Sequence, residues 1–259
     1  MLLVLDVGNT NIVLGIYHGE SLLHHWRIET NPRKTSDEYG VLLGDLLASV
    51  DIRGCALHAI IISSVVPPMT SILQTALEKY FHKKAFIVHS KVETDLTIQL
   101  ENPAELGADR MVNAVAGVHE YGAPLVLIDF GTATTYCVID EKKNYLGGAI
   151  SPGISVSAEA LYTRAAKLPY IQLDVPKQVI GRGTVAAMRS GILFGYVGQV
   201  EGIVKRILAE CGEGFHPKIV ATGGFANLIA GETDAIDVVD PFLTLKGLRL
   251  IYEENYGDL

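Results

Sequence analysis

The chain begins with two short apolar runs that are separated by a polar turn. Residues 2–5 and 12–17 are apolar, and the glycine-containing segment Asp6-Val-Gly-Asn-Thr-Asn11 lies between them. Apolar runs of this length on either side of such a turn predict a β-hairpin. Partial alternation of apolar and polar residues over 22–30 predicts a third strand.

The remainder of the first half mixes helix and strand patterns. Residues 59–66 read Ala-Ile-Ile-Ile-Ser-Ser-Val-Val, a run typical of a strand that is buried on both faces, and Pro67 and Pro68 end it. Helical spacing, helix-start residues and short apolar runs predict the other elements, which are helices at 36–50, 70–80 and 104–119 and a strand at 85–88.

The N-terminal pattern returns in the middle of the chain. Leu125-Val-Leu-Ile-Asp129-Phe-Gly-Thr-Ala-Thr134 repeats Leu2-Leu-Val-Leu-Asp6-Val-Gly-Asn-Thr-Asn11, and an apolar run follows each copy. A repeat about half the chain apart indicates duplication, so we expect an α/β protein whose two similar halves, 1–120 and 121–259, face one another. In the second half the pattern predicts helices at 155–166 and 184–211, a strand at 218–221 and a final helical segment that Gly223 and Gly224 open.

The charge balance limits the classes of partner. The 259 residues carry a formal net charge of −8, and the 21 lysines and arginines are scattered along the chain. Because nucleic-acid phosphates require a basic surface, we expect no nucleic-acid partner. The hydrophobic fraction of 49%, without a long polar tract, is typical of a compact globular protein.

The apolar segments and cysteines bear on the cellular compartment. The apolar run before Asp6 is shorter than a signal-peptide core, and no segment reaches the roughly 20 apolar residues of a membrane span. Cys55, Cys137 and Cys211 lie far apart without a CxxC pair, which disfavours a zinc site or a disulfide framework. We therefore expect a cytoplasmic protein without a membrane partner.

The repeated Asp-x-Gly turn has the chemistry of a phosphate-binding loop. Glycine has no side chain to hold phosphate oxygens away, so the N–H groups of Gly8 and Gly131 can donate directly to an anion. Further donors and two cation-holding carboxylates come from Asn9, Thr10, Asn11, Thr132, Thr134, Asp6 and Asp129. A single copy would equally suit an ordinary hairpin turn, but the duplication favours two turns that grip one polyphosphate.

These paired turns resemble the two phosphate motifs of the acetate and sugar kinase, heat-shock-70 and actin superfamily. The segment Ala221-Thr-Gly-Gly-Phe-Ala226 resembles its adenosine motif, in which glycines let the backbone lie against the base and ribose. Taken alone, that segment would also suit a strand-to-helix turn. The resemblance implies a duplicated ribonuclease H-like (actin-like ATPase) fold of two similar lobes, each with a mixed sheet flanked by helices.

Additional motifs resemble type III pantothenate kinase over nearly the whole chain. Besides the two Asp-x-Gly turns they are Ile62-Ser-Ser-Val-Val-Pro-Pro68, Glu101-Asn-Pro103, Gly107-Ala-Asp-Arg110, Asn113-Ala-Val115 and Gly147-Gly-Ala-Ile-Ser-Pro-Gly153. The resemblance implies a homodimer that phosphorylates pantothenate with ATP to give 4′-phosphopantothenate, the first step of coenzyme A biosynthesis. One departure is Leu100, where the family often carries tyrosine.

The same resemblance implies a role for individual residues, with Asp109 as the catalytic base. It implies pantothenate contacts for Gly107, Ala108, Asp109, Arg110 and Thr184, and ATP contacts for Asp6, Val7, Gly8, Asn9, Thr10, Asn11, Ile12, Val13, Thr132, Gly223 and Gly224. It also implies a monovalent cation, K⁺ or NH₄⁺, at Asp129, and we place Mg²⁺ near Asp6. Arg110 would pair with the pantothenate carboxylate or with a phosphoryl oxygen, and the sequence leaves both open.

Three other interpretations stay open at this point. Adjacent charges such as Asp109 and Arg110 are more often a solvated ion pair on a helix surface. A non-catalytic, nucleotide-binding accessory protein of transcription would show the same phosphate turns, although it would have no need of a carboxylate at position 109. A sugar kinase or chaperone-like ATPase fits less well, because 259 residues leave little room for a large substrate domain.

Overall fold

The computed structural model describes residues 1–89 and 92–257 and divides into two compact units. The first comprises Met1–Asp95, Glu101–Ala116 and Leu243–Leu259, and the second comprises Leu96–Leu100 and Gly117–Phe242. The sequence-based division at residue 120 differs from these units in two places. The C-terminal segment belongs with the first unit, and residues 96–100 belong with the second.

The first unit is built on a mixed sheet in the order β3-β2-β1-β4-β5. The predicted N-terminal hairpin is confirmed, because β1 pairs antiparallel with β2 and parallel with β4. The central strands are almost wholly buried, as expected from their continuous apolar runs. The strand bounds are β1 Leu2–Val7, β2 Asn11–His18, β3 Ser21–Glu29, β4 Ala59–Ser64 and β5 Phe86–Ile87.

Helices cover both faces of this sheet. α1 (Ser36–Ala48) and α2 (Pro67–Phe81) share one core cluster with alternate residues of β1 and β4. α1 begins at a capping box in which Thr35 and Glu38 exchange side-chain hydrogen bonds with each other's backbone N–H. α7 (Leu243–Tyr256) lies against the other face, where a Cβ on Gly15 would stand 3.0 Å from Leu245 Cδ1.

The second unit repeats this arrangement in the order β11-β10-β7-β8-β9-β6. Its Asp-x-Gly strand, β7, likewise pairs antiparallel with the next strand, β8, and parallel with a later strand, β10. The same pairing around both motif strands is what duplication predicts. The strand bounds are β6 Thr97–Ile98, β7 Leu125–Phe130, β8 Ala133–Ile139, β9 Asn144–Pro152, β10 Lys218–Gly223 and β11 Val238–Val239.

Four further helices complete the described chain. Three lie in the second unit, α4 Ile154–Arg164, α5 Thr184–Cys211 and α6 Ala226–Ala230. The pattern predicts the bounds of α5 and places the start of α4 one residue late. α3 (Ala108–Tyr121) begins later than predicted, because Asn102 caps a short 3₁₀ turn at Pro103–Glu105 first. Within the described ranges, no helix combines the length and apolarity that crossing a membrane requires.

Strand β9 and helix α7 were not predicted. Gly147 and Gly148 interrupt the apolar pattern of β9, and both adopt positive φ, 128° and 157°. A Cβ on Gly148 would lie 1.6 Å from the carbonyl oxygen of Tyr136, so only glycine lets the two strands pair so closely at this point. These glycines therefore have a structural task in the sheet.

Candidate active site

The first predicted phosphate turn lies at the end of β1 in the first unit. Asp6 and Val7 pair with Val13 and Ile12 across the hairpin, and the N–H of Gly8 donates to the carbonyl of Asn11 at 3.0 Å. Val7 and Ile12 are fully buried in the core, so their contribution to a ligand is restricted to backbone groups. Asn9 and Thr10 are exposed at the tip of the turn, where their side chains and backbone N–H groups face solvent.

Thr30 braces this turn and was not identified from the sequence. Its Oγ1 donates to the carbonyl of Gly8 at 2.7 Å, and its backbone N–H donates to the carbonyl of Thr10 at 3.0 Å. Both bonds hold the turn in one conformation, which reduces the entropy that ordering it around a ligand would cost. The residue follows the last position of β3, so only the pairing of β2 with β3 brings it to the turn.

The predicted base, Asp109, lies in the first turn of α3 and is half-buried. Its Oδ1 accepts a hydrogen bond from the backbone N–H of Arg110 at 2.8 Å. A Cβ on Gly107 would lie 2.5 Å from that same oxygen, so the carboxylate packs over a glycine that has no side chain to displace it. The helix N-terminus also favours the charged carboxylate.

The second phosphate turn is braced by the start of α4. The N–H of Gly131 donates to the carbonyl of Ala133 at 3.1 Å, and the N–H of Gly153 donates to the carbonyl of Thr132 at 2.9 Å. A Cβ on Gly153 would stand 2.4 Å from the carbonyl oxygens of both Gly131 and Thr132. The final glycine of the Gly147–Gly153 motif is therefore required by the close approach of α4 to the turn.

Asp129 lies beside the predicted adenosine motif within the second unit. It pairs in register with Thr222, and Gly223 follows with φ of 93°. A Cβ on Gly223 would lie 2.7 Å from Asp129 Oδ1 and equally close to the carbonyl of Phe130. Gly223 thus leaves room for the Asp129 carboxylate, a role that sequence reasoning did not assign to it. Gly224 occupies the turn between β10 and α6.

Thr184 is the first residue of α5 and is exposed. The segment before it is packed against the helix, because a Cβ on Gly181 would lie 2.3 Å from the backbone nitrogen of Ala187. The Ser190 hydroxyl also donates to the carbonyl of Val179. These contacts fix the position of the Thr184 hydroxyl at the helix start.

A buried polar network lies behind the second hairpin and was missed from the sequence. Gln199 Oε1 accepts hydrogen bonds from Tyr136 at 3.4 Å and from Ser151 at 3.1 Å. Tyr196 donates to the carbonyl of Pro152 at 2.6 Å. Burial raises the pKa of the Tyr136 hydroxyl, so it stays protonated and serves as a donor. The network connects α5 to β8 and β9.

The predicted residues thus form one group in each unit. The first unit holds Asp6–Asn11 with Ile12 and Val13, together with Gly107–Arg110. The second holds the turn at Asp129–Thr134, Thr184, Gly223 and Gly224. Each group combines backbone donors, a carboxylate and glycines at positions where a side chain would collide, which suits an anionic ligand with an accompanying cation.

Comparison with known proteins decides which family uses this arrangement. Residues 2–206 match the model of the family described as type III pantothenate kinase. The chain belongs to the type III pantothenate kinase family. It is 59% identical over 255 residues to the type III pantothenate kinase of Geobacillus kaustophilus (strain HTA426), with 98% of each chain covered. It is 58% identical, with the same coverage, to that of Geobacillus thermodenitrificans (strain NG80-2).

Membership of the type III pantothenate kinase family confirms the predicted activity and fold. The chain is a phosphotransferase that uses ATP to phosphorylate pantothenate, and no relative found supports the accessory-protein interpretation. The ethanolamine utilization protein EutJ from Carboxydothermus hydrogenoformans matches with a TM-score of 0.57 at 14% identity, over 96% of this chain and 89% of that one. At such identity the likeness concerns the fold, which is the predicted duplicated actin-like one.

Proposed function

We propose that Asp109 is the catalytic base of this pantothenate kinase and accepts the proton of the 4′ hydroxyl as that oxygen attacks the γ-phosphate. The observation that carries this proposal is the carboxylate held over Gly107 at the start of α3. Phosphoryl transfer depends on positioning and charge neutralisation more than on a strong base, so a carboxylate of fixed orientation is sufficient. Arg110 supplies positive charge for an anionic group of one of the substrates.

ATP contacts follow from the two braced turns. Gly8, Asn9, Thr10 and Asn11 present backbone and side-chain donors to the phosphates, and Thr132 presents donors from the second turn. Thr184, at the start of α5, contacts pantothenate together with Gly107–Arg110. Gly223 and Gly224 leave the backbone accessible to the adenosine.

The carboxylates suit the two cations that the proposal requires. Carboxylate oxygens are hard ligands of the kind Mg²⁺ prefers, and Asp6 is partly exposed at the end of β1. Among residues 1–89 and 92–257, no group of three or more His, Cys, Asp or Glu side chains could hold a metal ion. A Mg²⁺ ion at Asp6 would therefore take most of its ligands from water and phosphate, and when bound it neutralises developing charge.

Asp129 is the residue that we propose for the monovalent cation, and this role predicts a choice between cations. With K⁺ or NH₄⁺ as the only monovalent cation we expect turnover at least about tenfold faster than with Na⁺, or roughly 1.4 kcal/mol in the barrier. Asp129→Asn removes the charge that holds the ion, so it should abolish this difference. Steady-state kinetics in each salt, with K⁺-dependent thermal shifts of the nucleotide complex, provide the measurement. Equal rates in Na⁺ and K⁺ would rule out the cation role.

We also propose a homodimer that uses a surface of the second unit. Its exposed large apolar side chains include Ile150, Tyr162, Tyr170, Val175, Val179 and Ile180, of which Ile180 is 81% exposed. A concentration of exposed apolar side chains is a common feature of protein interfaces. A second copy of the chain would remove them from water.

The dimer proposal predicts the effect of a charge on this surface. Ile180→Asp should reduce the molar mass measured by light scattering from that of two chains to that of one, because an unpaired carboxylate is costly to bury. Val41→Asp is the matched control, since Val41 is 53% exposed on α1 of the first unit. A dimer that persists in Ile180→Asp at micromolar concentration would contradict the proposed surface.

A further inference from the structure

Ser63 is a buried hydroxyl residue for which the fold provides no partner. It lies in β4 with none of its surface exposed. Across residues 1–89 and 92–257, no hydrogen-bond partner of its Oγ is found. Burying an unsatisfied hydroxyl is unfavourable, and native proteins retain few such groups without a reason. Folding alone would be better served by alanine at this position.

The register of the sheet places Ser63 beside Asp6. β1 and β4 are parallel neighbours, and Asp6 is in register with Ser63. Neighbouring strands lie about 4.8 Å apart, and residues in register project from the same face of the sheet. Val7 and Ile62 belong to the core cluster with α1 and α2, so Asp6 and Ser63 project from the opposite face. At this spacing a rotation about χ1 brings a serine hydroxyl within reach of the carboxylate.

The adjacent Ser64 shows what a structural serine does in the same segment. Its Oγ accepts hydrogen bonds from the N–H of Val66 at 3.2 Å and from the hydroxyl of Thr70 at 2.8 Å. These bonds connect the end of β4 to the first turn of α2. Ser64 is therefore explained by the fold, whereas Ser63 is not.

The second unit has the same pairing beside its own motif aspartate. Thr222 on β10 is in register with Asp129 on the neighbouring parallel strand, and it is only 3% exposed. In both units a small hydroxyl residue thus stands next to the aspartate that precedes the phosphate turn. Duplication of the fold preserves this neighbour as well as the aspartate itself.

We infer that Ser63 is a positioning residue for Asp6. When nucleotide and Mg²⁺ are bound, its hydroxyl donates a hydrogen bond to the Asp6 carboxylate and holds that carboxylate toward the ion. Such a donor fixes the orientation of a metal-binding carboxylate and strengthens metal binding. The inference rests on the role proposed above for Asp6, and it assigns a function to a residue that contacts neither the nucleotide nor the ion.

The test measures how strongly Mg²⁺ enhances the binding of ADP to the purified protein. ADP affinity is measured by isothermal titration calorimetry with saturating Mg²⁺ and with none, and the ratio of the two is compared among variants. Ser63→Ala should lower this ratio about tenfold. Its melting temperature without ligands should stay unchanged or rise, because the variant removes an unsatisfied hydroxyl. Ser64→Ala, the matched control, should lower the melting temperature and leave the ratio unchanged.

Asp6→Asn separates the two levels of the proposal. If Asp6→Asn abolishes the Mg²⁺ enhancement while Ser63→Ala retains it in full, the positioning role of Ser63 is wrong and the role of Asp6 stands. If Asp6→Asn also retains the enhancement, the Mg²⁺ role of Asp6 fails and the inference fails with it. A large drop in the melting temperature of Ser63→Ala with an unchanged ratio would make Ser63 a structural residue only.

Discussion

Asp109→Asn is expected to lower kcat about 100- to 10,000-fold, the range that loss of a positioned general base commonly costs. Asparagine keeps the size of the side chain and an oxygen that can accept from the N–H of Arg110, but it cannot take the proton of the 4′ hydroxyl. The KM for ATP should change little, because the first phosphate turn does not depend on position 109. Steady-state kinetics with both substrates varied provide the measurement.

A neighbouring carboxylate supplies the control for this prediction. Glu105, in the 3₁₀ turn before α3, is exposed, and its Oε1 accepts from the Asn102 side chain at 3.0 Å. Glu105→Gln removes the same charge a short distance along the chain and should leave kcat within about twofold, a change worth less than roughly 0.5 kcal/mol. A normal kcat in Asp109→Asn, or an equal loss in both variants, would contradict the assignment of the base.

Gly223→Ala is expected to damage both stability and the use of K⁺. The backbone at this position has φ of 93°, and the new Cβ would lie 2.7 Å from Asp129 Oδ1 and from the carbonyl of Phe130. Backbone strain and overpacking together should lower the free energy of unfolding by about 2 to 4 kcal/mol. Displacement of the Asp129 carboxylate should also weaken activation by K⁺. Urea unfolding and K⁺ titrations of activity measure the two effects.

Gly44→Ala separates this effect from that of a glycine substitution in general. Gly44 lies within α1, where an added Cβ would meet no atom within 4 Å. Alanine should therefore raise the stability of the protein by up to about 1 kcal/mol and leave K⁺ activation unchanged. If Gly223→Ala were as stable as the wild type, the close packing of β10 against Asp129 would be refuted.

The strands with continuous apolar runs and the helices with clear periodicity were predictable from the sequence. β1, β2 and β4 follow from their apolar runs, and α5 follows from helical spacing that begins at Thr184. β9 was not predictable, because Gly147 and Gly148 resemble a turn unless the Tyr136 carbonyl that they accommodate is known. α7 belongs to the first unit because its apolar face packs on the sheet there, a contact between the two ends of the chain.

The candidate site divides in the same way. The sequence by itself determined the duplicated Asp-x-Gly turns, the carboxylate at position 109 and the family resemblance, because residue type and local order carry that information. Only the tertiary structure decided that Thr30 braces the first turn, that Gly223 makes room for Asp129 and that Ser63 stands beside Asp6. These relations depend on which strands become neighbours and in what register, and that pairing is set by the packing of whole apolar faces.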